Sequence, residues 1–303
     1  MFFKINLMIW LQAIRPQFFS VIILPISLGM AIAWQHTGSM HWDYGMLFLL
    51  AALLSQAAAN VINDYFDDLN QTDVLNQQPL TPFAGGSRII QRGQLSARAM
   101  YYYGLILMSL ALVIGFYLFW VHGVVLLVIA LTGILSGFFY SAPPLVLSHR
   151  GLGELLVGVN FGILAPLGAY YVQTGLITFE VITAALPLAC LATAILVINE
   201  FPDVIADQRV GKKNLVVRLG TAHARFLYGF LIVLSFVSLL VGVAYDQVAV
   251  LSLLLLPWAG LAIQKVVQYH QQPLALIPAI KITLSLYILM SGLVIFSIIF
   301  KSI

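Results

Sequence analysis

The sequence predicts an all-α, polytopic membrane protein, and three observations carry that prediction. Of 303 residues, 61% are hydrophobic and only 8% are charged, where a soluble globular domain carries about a quarter. The apolar residues run in stretches of about 20, the length that crosses a bilayer as a helix. They lack the period-two alternation of a membrane barrel. The Lys and Arg residues, finally, gather in alternate gaps between the runs. The opening “MFFKINLMIWLQAIRPQFFS” lacks a compact n-region and a small-residue cleavage site. It reads as an amphipathic lead-in to the first span rather than a cleavable signal.

Nine spans follow in order. The first covers 18–35. The second covers 44–63 and runs into the acidic stretch “NVINDYFDDLNQTD” at 60–73. The apolar stretch from 100 to 148 is too long for one crossing, and “WVHG” at 120–123 divides it into 100–119 and 122–141. The fifth and sixth spans, 152–172 and 178–199, are separated by a short gap. The stretch 223–265 divides at “YDQ”, 245–247, into 223–244 and 247–265, and 276–299 is the last span. The whole, 1–303, reads as one membrane domain.

Charge sorting supports the odd number. Lys4, Arg15, Arg88, Arg92, Arg98, Arg150, Arg209, Lys212, Lys213, Arg218, Arg225, Lys265 and Lys281 all fall on one side, and only Lys301 on the other. Basic residues stay cytoplasmic, so the N-terminus and both long gaps, 64–99 and 200–222, are expected there, in a multi-pass protein of the inner (cytoplasmic) membrane. The net charge of +3 is too small to indicate a nucleic-acid partner. One cysteine, Cys190, excludes a disulfide framework.

The acidic residues carry the chemistry. Asn60, Asp64 and Asp68 are spaced i, i+4, i+8, which stacks them along one helix face. Asn199, Asp203 and Asp207 in “NEFPDVIAD” repeat that spacing after the sixth span, and Asp67 and Asp73 add carboxylates to the first copy. Stacked carboxylates left alone would repel one another. Carboxyl oxygen suits Mg2+, which takes one or two carboxylates together with substrate phosphates. Two such helix ends facing one another would gather metal ions around a diphosphate. Solvated helix caps, or a proton or cation relay in a cation-coupled transporter, are the competing readings.

Basic segments follow each cluster. “GGSRIIQRG” at 85–93 sets Arg88 behind a glycine pair, and “RVGKKNLVVRLG” at 209–220 contains Lys212. Glycine lets backbone approach phosphate and Arg or Lys supplies charge-assisted bonds, so Arg88 and Lys212 are the expected phosphate contacts. Neither nucleotide-loop glycine pattern is present, and the six histidines form no metal-ligand pair.

Taken together, “IRPQFFS”, “NVINDYFDD”, “YSAPP”, “GLGE”, “INEFPDVIADQRVGKKNLVVRLG” and “IPAIKITL” resemble the UbiA superfamily of intramembrane aromatic prenyltransferases over nearly the whole chain. Within it, the two Asp motifs look most like the branch that prenylates 1,4-dihydroxy-2-naphthoate in menaquinone synthesis. The first motif departs from that branch's common form: “DLNQTD” stands where a Gly before the last Asp is usual.

The resemblance implies nine transmembrane helices around a central cavity, with the aspartates at its cytoplasmic mouth. It implies Mg2+ and polyprenyl diphosphate held by Asn60, Asp64, Asp67 or Asp68, Asp203 and Asp207. Helical phase favours Asp68; the branch pattern favours Asp67. Tyr65, Phe66 and Tyr140 are candidates for stabilising an allylic cation. Glu154 either orients the aromatic acceptor or caps its helix. Asn199 and Tyr140 join the expected substrate contacts. Decarboxylation would accompany transfer to the naphthoate; 4-hydroxybenzoate is the alternative acceptor.

Overall fold

The computed structural model describes residues 7–76, 79–243 and 248–301. Its long helices follow from the solvent: in lipid every backbone polar group must bond within its own segment. Eight helices are long and apolar enough to cross a membrane: Pro16–Thr37, Trp42–Leu69, Ala97–His122, Gly153–Thr174, Phe179–Glu200, Thr221–Leu239, Val250–Tyr269 and Pro273–Phe300. Val124–Phe139, between the third and fourth of these, is apolar but shorter, at 16 residues. Counted with it, they are the nine expected spans, numbered below in chain order. The turn expected at 245–247, and Lys4, lie outside the described residues.

Local chemistry sets the ends. Gly38 and Gly175 close the first and fifth spans in the left-handed region, at φ 66° and 68°, where glycine carries no Cβ penalty. Ser96 caps the third span by accepting from the Ala99 N–H at 3.1 Å. Trp42, Trp120 and Phe179 are exposed at the end of the bundle away from the Asp segments, as interfacial aromatics are.

Two prolines shape the interior. Pro25 has no N–H to give the Val21 carbonyl. The Tyr287 hydroxyl of the ninth span donates to that carbonyl instead, at 2.9 Å. Pro166 sits just after a widened π-type turn, Asn160–Leu164, inside the fifth span. Its missing N–H accounts for the local loosening. At Gly162 the fifth span closes so tightly on Ala189 of the sixth that no side chain would fit.

The first span packs on the fifth and ninth, the second on the third, fourth and fifth, and the sixth on the fifth, seventh and ninth. Spans one to six line the cavity described below. The last three back the first and sixth in one continuous apolar core that includes Leu28, Leu188, Tyr228, Ile232 and Met290.

Candidate active site

The second span runs on to Leu69, well past its expected end at 63, so the first Asp motif is helical throughout. On a 3.6-residue helix a seventh residue returns almost to the starting face, while an eighth has moved about 80° round. Accordingly Asn60, Asn63 and Asp67 line the cavity. Asp68 lies off it, and its Oδ1 accepts from the Gln91 side chain at 3.0 Å. Asp64 is buried beside the lining and is ion-paired with Arg15.

The second motif is built differently. The sixth span ends at Glu200, the chain turns, and a short helix, Val204–Arg209, restarts. That break carries Asp203 and Asp207 to the cavity wall that Asn199 and Glu200 face from the last turn of the span. The two motifs meet through Lys212, whose Nζ stands 3.4 Å from Asp207 Oδ1 and 3.9 Å from Asp67 Oδ2. Burial pulls the Lys212 ammonium toward neutrality, but Asp67 and Asp207 outweigh it and hold the group charged well above its ordinary range.

The loop after the first motif closes over the second. The Asn76 side chain donates to Asp203 Oδ1 at 2.7 Å, and the Gly85 N–H to Oδ2 at 3.0 Å. The Ser87 N–H points at both Asp64 oxygens, at 3.4 and 3.3 Å. Gly85 and Gly86 have φ of 79° and 74°. At Gly86 the Asp73 carboxylate occupies the space that a Cβ would need. The donors expected to meet phosphate thus meet carboxylates here. Arg88 donates to the Asp73 backbone carbonyl and does not line the cavity.

Below this mouth the walls are apolar: Val21, Ile22, Phe48, Leu118, Leu126, Ile129 and Phe161. From Asp67 down to Phe48 on one helix is about 28 Å at 1.5 Å per residue, close to the hydrocarbon thickness. The cavity measures about 340 Å³. A second, wholly apolar cavity on the third and fourth spans shares Gly115, Ala130 and Ile134 with it. Tyr140 lines the central cavity; Tyr65 and Phe66 do not, and Tyr65 packs on Tyr101 with ring centroids 4.7 Å apart.

Glu154 is outside the lining and almost fully buried. Its Oε1 accepts the Leu215 N–H at 2.6 Å, at the start of the short helix Leu215–Leu219. It therefore caps a helix, though one 61 residues away rather than its own. Residues that the two motifs did not single out also meet here: Arg15, Asn63, Asn76 and Glu200. Glu200 stands beside Asn199 on the face of the sixth span that Ala192 and Leu196 also present to the cavity.

The donor set fits a cation shared with substrate. Asp73 Oδ2, Asn199 Oδ1, Glu200 Oε2 and Asp207 Oδ1 are buried without a hydrogen bond. Among the described residues no three Asp, Glu, His or Cys side chains converge closely enough to hold a metal by themselves. Mg2+ bound through one or two carboxylates and substrate phosphate needs no such cage.

Burial and the neighbouring Asp67 and Asp64 push the Asp73 carboxyl up to about 8. Burial and Asp207 push Asp203 up to about 7. Both folded values lie above the 3.8 of an ordinary aspartate. The stability these groups contribute is thus full below 3.8 and is lost as pH rises through 7 and 8. The thermal unfolding midpoint of the ligand-free protein is expected to fall from about pH 4 to about pH 8 and to level off above it. Mg2+ with diphosphate, which engages the ionised forms, is expected to raise it most at the upper end. A flat profile with no ligand effect would contradict this.

A polytopic helical bundle, with facing carboxylates and a buried ammonium above a bilayer-deep apolar cavity, defines an intramembrane transferase of the diphosphate-ionising class. The sequence pattern of the UbiA prenyltransferase family matches residues 22–295. A 2-carboxy-1,4-naphthoquinone phytyltransferase of Synechocystis sp. is 32% identical over 270 residues, spanning 88% of this chain and 84% of that one. A 1,4-dihydroxy-2-naphthoate octaprenyltransferase of Escherichia coli is 29% identical over 246 residues, 76% and 74% of the two chains. The solved structure of a UbiA homolog from Archaeoglobus fulgidus, bound to GPP and Mg2+, shares the fold at a TM-score of 0.60 and 18% identity, covering 95% of this chain and 99% of that one. The chain belongs to the UbiA prenyltransferase family.

Proposed function

We propose that this protein transfers a polyprenyl group from polyprenyl diphosphate to 1,4-dihydroxy-2-naphthoate, in menaquinone biosynthesis. The observation that carries the reading is the meeting of Asp67 and Asp207 at Lys212, with Asp203 on the same wall, at the mouth of the apolar cavity. The bicyclic acceptor is supported by the relatives named for 2-carboxy-1,4-naphthoquinone and 1,4-dihydroxy-2-naphthoate.

Asp67, Asp203 and Asp207, with Asn60 and Asn199, would hold Mg2+ and the diphosphate. When bound, the metal supplies Lewis-acid neutralisation of the leaving diphosphate. Lys212 adds fixed positive charge where negative charge accumulates. The apolar walls take the isoprenoid chain and keep water from the allylic cation. Phe161 and Tyr140 offer aromatic faces to it. Arg15 neutralises Asp64, so that carboxylate orients the loop through the Ser87 N–H. Purified protein with polyprenyl diphosphate and Mg2+ is expected to prenylate 1,4-dihydroxy-2-naphthoate in preference to 4-hydroxybenzoate. The reverse preference would replace the acceptor but leave the prenyl donor chemistry standing.

The same reading sets the Asp-rich end and the N-terminus in the cytoplasm, supported by the one-sided distribution of Lys and Arg. Reporter domains fused after Thr37 or Gln173 are expected on the opposite side of the membrane. A cytoplasmic signal at either position would contradict that orientation.

A further inference from the structure

The central cavity has three levels, and the prenyl diphosphate accounts for two of them. The carboxylates in its lining, Asp67, Asp73, Glu200, Asp203 and Asp207, belong to the mouth. Its deep end is apolar, around Phe48, Leu118, Leu126 and Ile129. Between the two lies a band of neutral polar side chains: Ser55 and Gln56 on the second span, Ser136 on the fourth and Asn160 on the fifth. A Cβ on Gly137, next to Ser136, would stand 3.5 Å from the Ala59 Cβ, so the two sides of the band share one depth. Most of the band is satisfied from within. The Ser55 hydroxyl donates to the Ala51 carbonyl at 2.9 Å, and the Asn160 amide donates to the Ser136 hydroxyl at 2.9 Å.

Gln56 is the exception. Its Nε2 donates to the Phe18 carbonyl at 3.0 Å, and since a carbonyl only accepts, that bond fixes which end of the amide is which. Its Oε1 is buried and accepts no hydrogen bond from any described residue. An acceptor left without a donor inside a bilayer is costly, so the level is completed by a ligand that donates there. Among the described residues the band holds no carboxylate, which Mg2+ would need beside phosphate oxygen. An ionised diphosphate brings acceptors only, and an isoprenoid chain brings no polar group. Gln56 stands one helical turn, about 6 Å, below Asn60, at the depth of the first carbons of a chain whose diphosphate is held at the mouth. The ring that attacks the first of those carbons lies beside them, and its hydroxyl is the missing donor. Phe18, whose carbonyl anchors Gln56, and Phe161, next to Asn160, line the cavity and offer flat faces to such a ring.

We propose that Gln56, anchored on the Phe18 carbonyl, receives a ring hydroxyl of the aromatic acceptor at Oε1. The assignment rests on the aromatic-acceptor reading given above. It adds the neutral group that holds the ring just below the leaving diphosphate. A site built to bond a hydroxyl rejects the analogue that lacks it.

The test sets 1-hydroxy-2-naphthoate and 4-hydroxy-2-naphthoate, each lacking one ring hydroxyl, to compete with labelled 1,4-dihydroxy-2-naphthoate. Purified wild type and Q56L are used, with Mg2+ and polyprenyl diphosphate. Wild type is expected to bind one of the two competitors about tenfold more weakly than the diol. Q56L is expected to raise KM for the diol about tenfold and so close that gap, with KM for the prenyl diphosphate changed less than about twofold. A side chain that only braced the Phe18 segment would move both KM values together. Q56L that keeps the gap, or that raises both KM values equally, would overturn the assignment. If Q56L fails to fold, Q56M is read by the same ratio. Wild type that binds both competitors as tightly as the diol would contradict the assignment without any variant. Wild type that prenylates no hydroxylated ring would sink the functional reading instead, a result distinct from all of these.

Discussion

Asp203→Asn is expected to abolish Mg2+-dependent turnover while the chain still inserts and folds. The Asp203 carboxylate touches the Asn76 side chain at 2.7 Å and the Gly85 N–H at 3.0 Å. An amide has one acceptor oxygen, so the variant keeps one of those bonds and turns an N–H toward the other donor. If Asp203 only tied down the loop, the change would cost about 1–3 kcal/mol of stability and turnover would survive. If it binds the metal–diphosphate, it acts where the leaving group's charge develops, and kcat falls by about a hundredfold to a thousandfold. Measuring kcat beside the thermal unfolding midpoint separates the two. Near-normal kcat in a folded variant would end the assignment of Asp203 to the leaving group.

The second large effect is a contrast between neighbours. Asp67→Asn is expected to lower kcat/KM by at least about a hundredfold, whereas Asp68→Asn is expected to stay within a few-fold of wild type. Asp67 lines the cavity within 3.9 Å of Lys212. Asp68 sits one position round the helix, bonded to Gln91. Both substitutions remove one charge from the same turn, so any general effect of net charge on diphosphate attraction is common to both. Equal loss in the two variants would mean that the cavity face of the second span has been misassigned.

That contrast also shows where the sequence stops being readable. The nine spans are legible because twenty apolar residues in a row have one stable fate in lipid. The pairing of the Asp motifs is legible because both follow even-numbered spans and so return to one end. The choice between Asp67 and Asp68 is not, since a spacing of four drifts round the helix and only the neighbouring spans say which face is inward. Glu200 is illegible for a related reason. It shares a helix face with Ala192 and Leu196, and only the neighbouring spans show that this face lines the cavity. The closure of Asn76 and Gly85 on Asp203 spans more than a hundred residues, and no local pattern announces it. Tyr65 and Phe66 sit inside the first motif yet off the cavity, packed on each other with centroids 5.0 Å apart and, for Tyr65, on Tyr101 of the third span; proximity in sequence was no guide to the cavity. The same holds for Arg88, whose guanidinium is taken up by the Asp73 carbonyl.

The central claim is that the Asp-lined mouth ionises a prenyl diphosphate so that its chain passes to a carboxylated naphthalene diol. The most direct measurement gives purified protein polyprenyl diphosphate, Mg2+ and 1,4-dihydroxy-2-naphthoate or 4-hydroxybenzoate, each radiolabelled in its carboxyl group, side by side. A prenylated naphthol, with the carboxyl label released as CO2, is the predicted result. Transfer to 4-hydroxybenzoate with its label retained, and none to the naphthoate, would contradict it.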